Sequence, residues 1–191
     1  VDMALVSAKK GKTGYFSIPP GDSVSHTGVI NYEKEAPEIY FKQKQGEATC
    51  VLKGAASALR YLQMNELASR MYTRTEQHHM WSESMNHFRT MIEFENKIAG
   101  GLTLVRAKKS FDPLKDSQMY WLCMCSLVGS DGKMDHAVAI ANGWIFDSTF
   151  EKALQLNKKN LDLCCSSDEA ENTFCGINGG WLVRKDPRKK R

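Results

Sequence analysis

Two residues far apart in this sequence could together form a thiol-based catalytic site, and Cys50 is the first of them. It lies where a helix is expected to begin, because a polar, glycine-containing loop at residues 43–49 leads directly into an apolar stretch with helical spacing. Only a thiolate is a strong nucleophile, and the N–H groups and dipole of a helix N-terminus favour a thiolate there. The same N–H groups can donate hydrogen bonds to an oxyanion at an attacked carbonyl. Cys50 is therefore a candidate nucleophile; the alternative is a cysteine that packs as a small hydrophobic residue.

His136 is the second, and Asp147 is placed to assist it. The histidine opens an apolar strand, the aspartate ends the strand Trp144-Ile145-Phe146, and Asn142-Gly143 between them is the strongest hairpin signal in the chain. Counting outward from the turn places the two side chains within a couple of positions of being opposite, where they can hydrogen-bond. A carboxylate on one ring nitrogen would fix the tautomer and leave the other nitrogen for a thiol. On its own, a histidine that enters an apolar strand is usually a structural residue, and this is the alternative for His136.

Gln45 adds a fourth candidate. It lies five residues before Cys50, in the loop that leads into the helix. From there its side-chain amide could reach an oxyanion beside the Cys50 N–H. The predicted catalytic set is thus Cys50, His136, Asp147 and Gln45, and its chemistry requires no metal or organic cofactor.

Other reactive side chains give weaker patterns. Histidines at 78, 79 and 87 and glutamates at 76 and 83 form no H-E-x-x-H motif, and exposed histidines between two helices account for them better than a metal site. The six cysteines contain no C-x-x-C pair and are too few for a disulfide scaffold. We therefore expect a reducing, intracellular compartment, cytoplasmic or nuclear.

The spacing of hydrophobic residues changes at mid-chain from a helical pattern to short apolar strands. Thr49 is the expected N-cap of the first helix, and Ser148 with Glu151 forms a candidate capping box for a short helix that ends near residue 154. Three helices are expected at 50–62, 65–75 and 82–98, and strands at 102–105, 119–128, 135–140, 144–147 and 181–183. A helical half followed by an antiparallel meander predicts an α+β fold.

Length and composition fit one globular domain with terminal arms. The chain has 191 residues, of which 42% are hydrophobic and 25% charged, which excludes a disordered or collagen-like protein. No apolar run approaches the roughly 18 residues of a membrane span, so no membrane association is expected. We expect an extended N-terminal arm over residues 1–40, a main domain over 41–183 and a basic tail over 184–191. The tail accounts for all of the net positive charge and the rest of the chain is near neutral, so nucleic-acid contact is expected only through the tail.

The arrangement resembles the papain-like cysteine peptidase superfamily. The shared features are the chain order, a glutamine before the nucleophile, a cysteine at the start of a central helix, and a histidine and then an acid on adjacent strands. Residues 45–50 look most like the Josephin and ubiquitin-specific deubiquitinase branches, and C39-like peptidases have a similar layout. The resemblance spans about residues 43–183. Asp147 stands where many relatives have asparagine, and the chain contains no established ubiquitin-binding motif.

The resemblance implies a papain-like fold, with Cys50 on a central helix packed on an antiparallel sheet. It also implies a thiol hydrolase that cleaves a peptide or isopeptide bond. The expected substrate is a protein or peptide, either ubiquitin-like or, for a self-processing enzyme, its own polyprotein. Two alternatives stay open: a catalytically silent papain-like binding module, and an acyltransferase or transglutaminase that uses the same thiol.

Overall fold

The computed structural model describes residues 35–43, 49–75, 80–132, 136–166 and 171–186. These residues form four α-helices and one six-stranded antiparallel sheet, which confirms the α+β part of the predicted fold. The helices are α1 (Cys50–Tyr61), α2 (Asn65–Thr73), α3 (Trp81–Ala99) and α4 (Lys158–Cys165). The strands are β1 (Leu102–Ala107), β2 (Leu122–Gly129), β3 (His136–Ala141), β4 (Trp144–Phe146), β5 (Leu154–Gln155) and β6 (Phe174–Lys185).

The sheet has the strand order β1-β6-β2-β3-β4-β5, and its alternate residues face two different layers. Met124 and Ala139 pack on the side of α1, α2 and α3, in the larger core cluster. Cys125 and Val138, one position along each strand, pack instead with Leu161 of α4 in a second cluster. Because both faces are covered, β2 and β3 are apolar almost without interruption.

Helix α1 is the central helix, and it is buried from Cys50 to Leu59. Its small residues allow a close approach to the β3–β4 hairpin: a Cβ atom added at Gly54 would lie only 3.0 Å from the carbonyl oxygen of Phe146. Thr49 occupies the predicted N-cap position, but its side chain makes no capping hydrogen bond to the helix. The helix is therefore positioned by packing on the sheet rather than by a cap.

Residues 35–43 lie along the segment that follows β4. The N–H of Ile39 donates to the carbonyl of Glu151 (3.1 Å), and the N–H of Ala153 donates to the carbonyl of Pro37 (2.7 Å). Ile39 is only 2% exposed and belongs to the larger core cluster. The boundary expected at residue 40 thus falls inside a segment that packs on the domain, and β6 continues to Lys185, two residues beyond the boundary expected at residue 183.

The prediction of a short helix after Ser148 is wrong. Residues 147–150 form a turn, β5 follows, and the helix occurs later as α4, where the Asn157 side chain accepts a hydrogen bond from the Asn160 N–H at 2.9 Å. Ser148 is not available as a cap, because its hydroxyl donates to the side-chain oxygen of Gln43 at 3.1 Å. Among the described residues, no helix is long and apolar enough to cross a membrane.

Candidate active site

The β3–β4 hairpin brings His136 and Asp147 together. Its two-residue turn, Asn142-Gly143, has positive φ angles of 49° and 77°, as a tight hairpin requires, and Ala139 pairs with Phe146. Continuing that register places His136 diagonally across from Asp147. The Nε2 atom of His136 lies 2.7 Å from Oδ2 of Asp147. At that separation the two groups form an ion pair when the imidazole is protonated.

Helix α1 brings Cys50 to the same place from the other half of the chain. Gly54 fits against the hairpin one turn after Cys50, so the first turn of α1 reaches the start of β3. An interaction with the Cys50 thiol is among the causes that raise the pKa of the His136 imidazole, so the two side chains are neighbours. Cys50 is 8% exposed, while the His136 side chain is 21% exposed. The nucleophile is thus shielded, and the imidazole keeps access to the surface.

The charges around His136 favour its protonated form. Burial alone would lower the pKa of His136, but the contacts with Asp147 and with Cys50 outweigh burial and raise the pKa to about 10. An imidazolium therefore lies between a carboxylate and a thiol at neutral pH. Because Nε2 faces Asp147, Nδ1 is the ring nitrogen left for the thiol.

Asp147 is held in its ionised form. The side chain is only 2% exposed, and burial would raise its pKa, but the contact with His136 and hydrogen bonds from Thr149 together lower the pKa below its usual value. A buried carboxylate without such partners would take up a proton instead. Asp147 can thus supply a permanent negative charge behind the imidazole.

The first turn of α1 offers donors for an oxyanion. The first helical hydrogen bond runs from the N–H of Lys53 to the carbonyl of Thr49 (3.1 Å). The N–H groups of residues 50–52 precede that bond and have no acceptor within the helix. They lie at the nucleophile, where negative charge develops on an attacked carbonyl oxygen.

Gln45 lies outside the described residues, in the loop of residues 44–48. Both ends of that loop are described, and both lie at the site. Before it, the N–H of Gln43 donates to the carbonyl of Ser148 at 2.7 Å, directly beside Asp147. After it, Thr49 leads into Cys50. Sequence reasoning missed the Gln43–Ser148 connection, since nothing local marks a contact between residues 105 positions apart.

Among the described residues, Cys50 is the cysteine whose interaction with an imidazole affects the pKa of that imidazole. Burial first, and then the adjacent Asp147, raise the pKa of Cys164 far above its usual value, so that thiol stays neutral. Cys175 is exposed and open to reagents. The remaining cysteines are Cys123 and Cys125, which are fully buried, and Cys165, where burial raises the pKa to about 11.

Most of the side chains considered as metal ligands cannot be placed relative to the site. His78, His79 and Glu76 lie outside the described residues. Within the parts of the chain that the structure describes, no group of three His, Cys, Asp or Glu side chains could hold a metal ion.

Comparisons of the chain with protein-family models, with curated proteins and with solved structures find no match. Any functional assignment therefore depends on the chemistry of the site itself.

Proposed function

We propose that this protein is a cysteine peptidase of the papain-like kind, a thiol hydrolase that cleaves a peptide or isopeptide bond. One observation carries the proposal: Cys50 at the start of a buried helix neighbours His136, whose Nε2 atom lies 2.7 Å from the buried carboxylate of Asp147. A nucleophile beside a base that an acid in turn orients is the signature of covalent acyl transfer.

The reaction would use each group in turn. With its proton on His136, the Cys50 thiolate attacks the substrate carbonyl, and the negative charge that develops on oxygen is met by the Cys50 N–H and the Gln45 amide. His136 then protonates the leaving amine, and the thioester forms. In the second half, His136 takes a proton from water, which attacks the thioester and releases the acid and the free thiol. Asp147 holds the imidazole and balances its positive charge throughout.

The arrangement of elements supports the papain-like assignment. The chain order is cysteine, histidine and aspartate, with the cysteine on a central helix and the other two residues on a hairpin of an antiparallel sheet. The helix packs directly on that hairpin, which its glycine at position 54 makes possible. A catalytically silent binding module would have no need of an ionised carboxylate buried behind the imidazole.

Thiol labelling provides the first test. The protein is best studied in a Cys175→Ser background, because Cys175 is exposed and would react independently of the site. Iodoacetamide at neutral pH should then modify Cys50 selectively, and an added His136→Ala change should slow the reaction sharply. Labelling of Cys50 that is no faster than that of an ordinary thiol, and indifferent to His136, would favour the silent module.

Substrate cleavage provides the second test. Ubiquitin-like electrophilic probes and a peptide library are incubated with the wild type and with Cys50→Ala. Hydrolysis that depends on Cys50 supports the proposal, and amide-bond hydrolysis that survives in Cys50→Ala contradicts it. Adding a primary amine separates hydrolysis from transfer, since an acyltransferase or transglutaminase would form the amide product in preference to the acid.

A further inference from the structure

Asp147 is held on two sides, and its two carboxylate oxygens have different partners. Oδ2 lies 2.7 Å from His136 Nε2. Oδ1 accepts two hydrogen bonds from Thr149, one from its N–H at 2.9 Å and one from its hydroxyl at 2.7 Å. The turn is closed by a hydrogen bond from the Phe150 N–H to the Asp147 carbonyl at 3.2 Å.

Two donors on one oxygen determine how the carboxylate is turned. A carboxylate without them could rotate about its terminal torsion, which is broad and roughly two-fold. Hydrogen bonds to the charged form also favour ionisation, and the Thr149 bonds are among the causes of the lowered pKa of Asp147. Thr149 thus acts on both the direction and the charge of the group that faces His136.

Thr149 is itself an exposed residue. Its hydroxyl nevertheless donates to a buried carboxylate, so a merely structural role would show as lost stability with an unchanged His136 pKa.

We propose that Thr149 is a positioning residue of the catalytic site: its hydroxyl fixes Asp147 so that the carboxylate stays ionised and directed at His136. The inference rests on the proposed function for its effect on catalysis, but its effect on His136 is independent of any substrate. Thr149 touches neither the thiol nor the reacting atoms and acts only through Asp147.

The experiment compares Thr149→Val, which removes the hydroxyl but keeps the N–H bond, with Thr149→Ser, which keeps both donors. Thr103→Val is the matched control, since Thr103 is an exposed threonine on β1 at the far edge of the sheet. The His136 ring is titrated by NMR, and kcat and KM are measured on the substrate found with the probes. Thr149→Ala replaces Thr149→Val if circular dichroism shows that the valine variant is unfolded.

We expect Thr149→Val to lower the His136 pKa by about 0.5–1 unit, because a carboxylate that can rotate away from His136 stabilises the imidazolium less. Its kcat should fall about ten-fold with little change in KM, Thr149→Ser should restore both values, and Thr103→Val should change neither. An unchanged His136 pKa in a folded Thr149→Val or Thr149→Ala protein overturns the inference. If the His136 pKa falls in Thr149→Val as expected but the wild type cleaves no substrate, the proposed function is contradicted and the positioning role of Thr149 stands.

Discussion

Replacing Gly54 with alanine tests whether the close packing of α1 on the hairpin sets the position of the nucleophile. The new Cβ would lie 3.0 Å from the carbonyl oxygen of Phe146 and 3.6 Å from the backbone nitrogen of Ala139. The first distance is shorter than ordinary van der Waals contact, which begins near 3.4 Å, and the crowding atom belongs to backbone. Helix α1 must therefore move away from β4 by a few tenths of an ångström.

The effect on stability is the difference of two opposing terms. Alanine is favoured over glycine inside a helix by about 1 kcal/mol. Overpacking a buried contact costs about 1–3 kcal/mol. The variant should thus lie between unchanged and about 2 kcal/mol less stable, which lowers Tm by no more than about 8 °C in a chain of this size.

The effect on activity should be larger than the effect on stability. Cys50 lies one turn before Gly54, so the displacement of the helix is passed on to the contact between the thiol and His136. A misplacement of 1 Å at a catalytic group can cost about 100-fold, and a few tenths of an ångström should therefore cost about three- to ten-fold in kcat/KM. The assay measures kcat/KM and the rate of Cys50 alkylation per folded molecule, together with urea denaturation.

Two other glycines provide controls. At Gly143 an added Cβ meets nothing within 4 Å but would sit at a φ of 77°, so Gly143→Ala should cost stability without displacing α1 or slowing the reaction. At Gly180 the Cβ would lie 2.1 Å from the Met124 carbonyl oxygen, so Gly180→Ala should prevent normal folding. Wild-type kcat/KM together with a raised Tm in Gly54→Ala would refute the reasoning, because only helix propensity would then have changed.

Three further predictions address the acid, the oxyanion and the domain boundary. Since His136 stays protonated below its pKa of about 10, activity should persist into alkaline solution and fall as that proton is lost. In Asp147→Asn the His136 pKa should drop, so the loss of activity should begin at lower pH. A pH–rate profile whose alkaline fall is the same in Asp147→Asn as in the wild type would contradict the ion pair. Gln45→Ala should lower kcat by about ten- to a thousand-fold with little change in KM and normal alkylation of Cys50, and an unchanged kcat would exclude Gln45 as an oxyanion donor. Ile39→Ala should destabilise the protein by about 2–5 kcal/mol in urea denaturation, and a stability equal to wild type would mean that residues 35–40 contribute nothing to the folded domain.

The hairpin and the central helix could be predicted from the sequence because their signals are local. Asn142-Gly143 specifies a tight turn by its tolerance of positive φ, and that turn determines which residues of the flanking strands face each other. The start of α1 follows from the change between a polar loop and an apolar helical stretch. The proximity of His136 and Asp147 could be predicted from this register alone.

The surroundings of the acid could not be predicted, because they depend on contacts distant in sequence. Ser148 and Glu151 have the spacing of a capping box, yet the Ser148 hydroxyl bonds to Gln43 and its carbonyl accepts from the same residue. The packing of residues 35–43 could not be predicted either, since their backbone hydrogen bonds are made to residues 148, 151 and 153 in the far half of the chain. A short capping signal is weak, and tertiary contacts outweighed it.

The turn after β4 joins the two halves of the site. Thr149 holds the carboxylate that faces His136, and the neighbouring Ser148 holds Gln43, where the loop leading to the nucleophile begins. A change that loosens this turn should therefore disturb the imidazole and the loop before Cys50 together, lowering the His136 pKa as well as the rate. A change within α1 moves the thiol alone and leaves the Asp147–His136 contact intact, so Gly54→Ala should slow the reaction with only a small change in the His136 titration. The two kinds of variant thus separate the placement of the nucleophile from the charge of its base.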